Sequence, residues 1–75
     1  MSQLPTLNAK ELVRILKQIG FRAVRQRGSH LFLQHPDGRT TLVSMHRNED
    51  IGRGLLRQIL REIELSPDEF LKLLQ

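Results

Sequence analysis

Residues 21–45 read FRAVRQRGSHLFLQHPDGRTTLVSM, and the fold turns on how this stretch divides. Residues 21–27 (FRAVRQR) are β-like and rich in arginine, and Gly28-Ser29 breaks the run. His30 to His35 (HLFLQH) alternates with the period of a strand. Pro36-Asp37-Gly38 is a turn signal, and RTTLVSM supplies a third strand. The stretch predicts a three-stranded antiparallel meander. In it, His30, Phe32 and Gln34 fall on one face and Leu31, Leu33 and His35 on the other. The Leu31/Leu33 face is the better candidate for the core.

On the N-terminal side, residues 8–19 read as a capped helix. Asn8 is the N-cap and Glu11, three residues on, completes a capping box, with Leu7 and Leu12 placed as a hydrophobic staple. Leu12, Ile15, Leu16 and Ile19 form one apolar face. Gly20 suits a left-handed stop, with Phe21 folding back onto Leu16. On the C-terminal side, residues 52–63 predict a second helix that buries Leu55, Leu56, Ile59, Leu60 and Ile63. Arg53, Arg57 and Arg61 recur every four residues on its exposed side. A short last helix starts at Ser66, with Pro67 in its first position, Glu69 closing a capping box, and Leu65 and Phe70 as the staple.

The expected fold class is therefore α+β, in the order α-β-β-β-α plus a short C-terminal helix, as a single domain over residues 1–75. Two helices on a meander cover one sheet face and leave the other open to solvent or ligand. This is the element order of the double-stranded RNA-binding domain.

The 75-residue chain has no cysteine, so neither disulfides nor a thiolate metal site can support so small a core. A partner protein or a dimer could. No apolar run approaches the ~20 residues of a membrane span, and no signal segment opens the chain. The expected location is cytoplasmic, without membrane association. The formal net charge of +4 is uneven. Residues 21–61 carry eight arginines against three acids, whereas residues 62–75 carry four acids against Lys72. Nine of the twelve cations are arginine, whose flat fork pairs two-pronged with phosphate. An anionic, phosphate-bearing partner is the natural reading.

His30 follows Gly28-Ser29 directly, and successive N–H groups at such a turn can hold a phosphate. Imidazole titrates near neutrality, so it can take a proton from a ribose 2′-OH or give one to a leaving 5′-oxygen. That cleavage requires neither a metal nor a protein nucleophile. Phe32 beside His30, with Arg25, Arg27 and Arg39 nearby in sequence, has two readings: a base-stacking and phosphate-gripping surface, or an apolar side chain packed under a loop or against the last helix. His35, before Pro36, reads as a solvated turn residue. His46 ends the third strand and is a candidate helper to His30. The three histidines match no zinc spacing, so no metal or cofactor is expected. Gly52-Arg53-Gly54 opens the second helix and offers a phosphate seat, while the Arg53/Arg57/Arg61 stripe is either part of that seat or an ordinary solvated face.

RQRGSH at 25–30, HPDGR at 35–39, SMH at 44–46, GLLRQIL at 54–60 and LSPDEF at 65–70 together resemble the HicA toxins. The resemblance runs from the first helix to the last. It implies a double-stranded-RNA-binding-like fold used for mRNA cleavage by the toxin of a type II toxin–antitoxin pair. It implies that His30 is the catalytic histidine and that a HicB-type antitoxin covers the active surface. The chain departs from the family twice: Ser44 stands where proline is usual, and Leu55 where threonine is usual. The second change removes a hydroxyl that could touch phosphate or cap the helix. A non-catalytic RNA-binding module is the alternative of another class, since the same fold order and basic surface would serve it. A DNA-binding regulator fits less well, because a meander interrupts the helices.

Overall fold

The computed structural model describes residues 4–45 and 50–74. Its elements are β1 (Leu7–Asn8), α1 (Ala9–Gln18), β2 (Arg22–Arg27), β3 (His30–Gln34), β4 (Thr40–Ser44), β5 (Asp50–Ile51), α2 (Arg53–Glu62) and α3 (Pro67–Leu73). Strands β2, β3 and β4 form the expected antiparallel meander, with β3 in the centre. Both main helices pack on its Leu33/Val43 face. The core joins Leu33 and Val43 to Leu12, Ile15 and Leu16 of α1 and to Leu56, Ile59 and Leu60 of α2. The fold is thus α+β, as the hydrophobic pattern predicted.

The helix ends follow the local chemistry. The Asn8 side chain accepts from the Glu11 N–H at 2.8 Å. The reciprocal half of the expected capping box does not form, because the Glu11 carboxylate turns to Arg14 one turn on. That contact also holds the Glu11 carboxyl below its ordinary range. At the other end Gly20 adopts φ +108°, and the Phe21 and Gly20 N–H groups donate to the Leu16 and Lys17 carbonyls at 2.9 and 3.2 Å. This is a Schellman stop. Helix α2 ends the same way, with Leu65 donating to Leu60, but there the left-handed position (φ +57°) is filled by Glu64. Leu55, expected on the buried side of α2, is instead exposed, since Leu56, Ile59, Leu60 and Ile63 already complete an i, i+3, i+4, i+7 stripe. In α3 both halves of the Ser66/Glu69 capping box are present.

The 35–39 turn is a structural clamp, which corrects the expectation that His35 is solvated. The Gly38 N–H closes the turn on the His35 carbonyl at 2.9 Å, and Gly38 takes φ +101°. The His35 ring meets Phe21 edge-on, with centroids 5.1 Å apart. Its Nδ1 accepts from the Asp37 N–H at 3.1 Å, so Nε2 carries the proton that it donates to the Ile19 carbonyl at 3.0 Å. Arg39 is equally committed. It donates to Asp37 at 2.7 Å and to the Ile63 carbonyl at 2.6 Å, and its guanidinium lies over the Phe21 ring. The Arg39 backbone N–H is the chief cause of a lowered Asp37 pKa, with the Arg39 side chain adding to it. A lowered carboxylate pKa adds stability above its unfolded value, and that stability is lost as pH falls through the folded one. The hairpin turn thereby pins the end of α1 to the end of α2. A second tie, absent from the sequence reading, is the two-residue pairing of β1 with β5, Leu7 opposite Ile51.

These two left-handed positions make opposite predictions. Gly20→Ala must hold alanine at φ +108° and place its Cβ 2.7 Å from His35 Nε2. Urea denaturation should show a loss of about 2 kcal/mol or more. Glu64→Gly should gain about 1 kcal/mol, because the strain of a β-carbon there is removed.

Candidate active site on the open sheet face

The uncovered face of the sheet is built from three rungs. Arg27, His30 and Ser44 form the first, Arg25, Phe32 and Leu42 the second, and Arg22, Gln34 and Thr40 the third. The first is set by a two-residue hairpin loop, Gly28-Ser29, closed by the Arg27/His30 pair. Gly28 lies at φ +60° and Ser29 keeps a negative φ, as a type II′ turn requires.

A bulge makes the arginines coherent. Phe21 is buried in the core, and Arg27 lies six positions further on. Strict alternation would put both on the same face. The register shift between Ala23 and Arg25 inserts Val24 as an extra residue, so Phe21 can point inward while Arg22, Arg25 and Arg27 share the open face. All of β2 is exposed, because the helices cover β3 and β4 and leave this strand projecting. Its arginines also guard a sheet edge against unwanted pairing.

His30 is exposed at the turn end of the central strand. Arg27 and Ser44 stand directly across from it on either side, where β-carbons lie roughly 5 Å apart, and Arg25 is on the diagonal. Phe32 is half-buried, with the Arg25 guanidinium 5.9 Å from its ring centroid. Among the described residues, it is an arginine that lies over this ring. The Gly28 carbonyl accepts from the Gln26 side chain at 3.2 Å, which stiffens the loop before His30.

The structure does not bring every expected residue to this place. Arg39 is tied into the turn clamp described above, away from the phosphate-gripping role suggested by its position in sequence. Arg53, Arg57 and Arg61 are exposed on α2, but α2 packs against the opposite face of the sheet, so the stripe forms a separate cationic surface. Arg53 also donates to the Leu4 carbonyl at 2.6 Å and so anchors the N-terminal segment. Gly52 caps α2 without a side-chain bond, and the first turn holds no acid. His46 lies outside the described residues. Among those residues no cluster of three or more His, Asp or Glu could hold a metal ion, and no helix is long and apolar enough to cross a membrane.

Comparison with known protein families agrees with the resemblance in the sequence. A family model described as the HicA toxin of bacterial toxin–antitoxin systems matches residues 9–65, which span α1 through the end of α2. The chain belongs to this family, and so is the toxin component of a toxin–antitoxin system, a class that implies an antitoxin partner. No curated protein matches the chain.

The bulge gives a test of the site's architecture. Removing Val24 leaves a regular strand in which Phe21 and Ala23 alternate against Arg22, Arg25 and Arg27 with no change of face. The deletion should therefore fold, keep its melting temperature within several degrees, and retain the cationic face. Collapse of the fold, read by circular dichroism, would show that β2 is held by something other than this register.

Proposed function

We propose that this toxin is an endoribonuclease that cleaves mRNA through the ribose 2′-OH, without a metal or other cofactor, and that a HicB-type antitoxin neutralises it. The observation that carries the reading is the exposed His30 imidazole on an open sheet face, with Arg27 directly across from it and Arg25 on the diagonal. His30 takes the 2′-OH proton as the 2′-oxygen attacks the adjacent phosphorus. The bond to the 5′-oxygen then breaks, and that oxygen is protonated by a second group or by water. The products are a 2′,3′-cyclic phosphate and a 5′-hydroxyl. Arg27 and Arg25 offset the charge that grows on the phosphoryl oxygens. The Gly28-Ser29 loop approaches the same phosphate with little steric bulk. His46, two residues beyond Ser44 in sequence, is the candidate for the second proton transfer.

The Arg53, Arg57 and Arg61 surface serves the RNA backbone on this reading as an outlying contact, since it belongs to the other side of the molecule. Its alternative use is against an acidic surface of the antitoxin. The location consistent with mRNA cleavage is the cytoplasm.

His30→Ala should lower the rate of RNA cleavage by about 10²–10⁴-fold, the usual worth of general acid–base catalysis, with the melting curve unchanged. Cleavage at the parent rate would remove His30 from the mechanism and favour a non-catalytic RNA-binding module carrying a contaminating nuclease. The wild-type protein should remain active in excess chelator and should not cut a strand bearing 2′-deoxyribose at the scissile position. Cutting of that strand would indicate attack by water instead. Antitoxin affinity, measured by calorimetry over a salt series, should fall as salt rises, because exposed arginines meet acids across the interface. A salt-independent affinity would point to a mainly apolar contact.

A further inference from the structure

Several arginines show their duty by their partners. Arg14 meets Glu11, Arg39 holds Asp37 and the Ile63 carbonyl, and Arg53 holds the Leu4 carbonyl. Arg22, Arg25 and Arg27 are different. Among the described residues no carboxylate reaches any of them, and Arg25 instead lies against the Phe32 ring. Strands β2, β3 and β4 contain no acid at all. The three arginines are also evenly spaced. They stand opposite Gln34, Phe32 and His30, which are alternate residues of β3, so the row advances by roughly 6.8 Å per arginine. The Val24 bulge is what makes it a row. In an unbroken strand, Arg22 would face the helix side whenever Arg25 and Arg27 faced out. Steps of this size fall inside the screening length of roughly 8 Å at physiological salt, so the three guanidiniums repel one another. Charge that only guards a strand edge can sit on either face. An aligned and unneutralised row fits an anion with the same repeat.

We infer that β2 is a track for one extended single strand of RNA and grips three consecutive phosphates, with Arg27 at the scissile phosphate, Arg22 two phosphates away and Arg25 between them. The inference rests on the RNA-cleaving reading above. It adds Arg22 as a binding residue and fixes the path by which the substrate leaves His30. Arg27 is the cross-strand partner of His30, so the phosphate it meets is the one beside the reacting ribose. Each further arginine lies one step along β2, and that step matches one nucleotide of an unstacked chain. The guanidinium fork can take each phosphate two-pronged. The single-stranded form follows from the chemistry at His30. Helical stacking holds a 2′-oxygen out of line with the departing 5′-oxygen, so the reacting nucleotide must leave the stack. A straight row also suits an extended strand better than the curved backbone of a duplex.

The test is a binding measurement that does not depend on cleavage. Short 2′-O-methyl strands, which lack the attacking hydroxyl, are titrated by fluorescence anisotropy, with one phosphate at a time replaced by a neutral methylphosphonate. Three adjacent replacements should weaken binding to the wild-type protein most. Arg22→Gln, a change at an exposed position, should leave the melting curve as it was and lower the slope of log K against log salt by about 0.7. It should also cancel the penalty of the replacement at one end of the three, and Arg27→Gln that of the replacement at the other end. The double variant Arg22→Gln with Ala23→Arg returns the net charge to its original value but places it on the opposite face of β2. Its binding should stay as weak as that of Arg22→Gln alone. An Arg22→Gln protein that keeps the parent slope overturns the inference. Recovery of affinity in the double variant does so too, as does a complementary duplex that binds as tightly as the single strand. The three-phosphate pattern in a protein that leaves unmodified RNA uncut upholds the track and removes the ribonuclease. Cleavage that is indifferent to Arg22 upholds the ribonuclease and removes the track.

Discussion

Burial of one face of the central strand governs this molecule. Successive side chains of β3 point to opposite sides, so once Leu33 is fixed in the core at 1% exposure, His30, Phe32 and Gln34 must stand on the other side. Two helices fill the Leu33/Val43 side, and among the described residues no third layer covers the remaining face. A slip of one residue would bury an imidazole and a glutamine and expose Leu31 and Leu33. The open-face residues therefore need no dedicated device to keep them outside, since the hydrophobic effect acting on their neighbours does so.

The remaining devices hold the sheet to the helices. His35, Asp37 and Arg39 use a hairpin turn to reach the last carbonyls of both main helices, at Ile19 and Ile63. Thr41 ties β4 to Glu62 near the end of α2, and β1 with β5 joins the segments that lead into α1 and α2. In a domain of this size, without disulfides, such polar ties supplement a small core. They also divide the cations between two duties. Arg39 and Arg53 serve the fold, whereas Arg22, Arg25 and Arg27 lie on the exposed face beside His30.

Much of this was legible in the sequence because it is local. Capping residues, the Gly20 stop, the break at Gly28-Ser29 and the parity of HLFLQH each follow from neighbours a few residues apart. What escaped was set by distant contacts. His35 looked like a solvated turn residue because its partners, Ile19 and Phe21, lie sixteen and fourteen positions away. Arg39 looked like a phosphate ligand, and the tie of Arg53 to the Leu4 carbonyl was hidden, because arginine carries no mark of the carbonyl it will find. The β1–β5 pairing spans two residues on each side, too short for any periodic signal. The Val24 bulge was hidden in a run of exposed residues, though its trace was present: an apolar Phe21 an even number of positions from Arg25 and Arg27 of the opposite face. The face that carries the candidate site was therefore readable from alternation, whereas the sorting of its arginines from the structural ones needed coordinates.

The central claim is that the His30 imidazole itself moves a proton during cleavage. It is tested most directly by comparing two titrations of the same protein: the pH dependence of kcat/KM for RNA cleavage, and the pH dependence of the His30 ring resonances in the free protein by NMR. The account predicts that one limb of the kinetic profile shares its midpoint with the His30 resonances, since kcat/KM reports groups of the free enzyme. A profile that runs level through the His30 midpoint would contradict it.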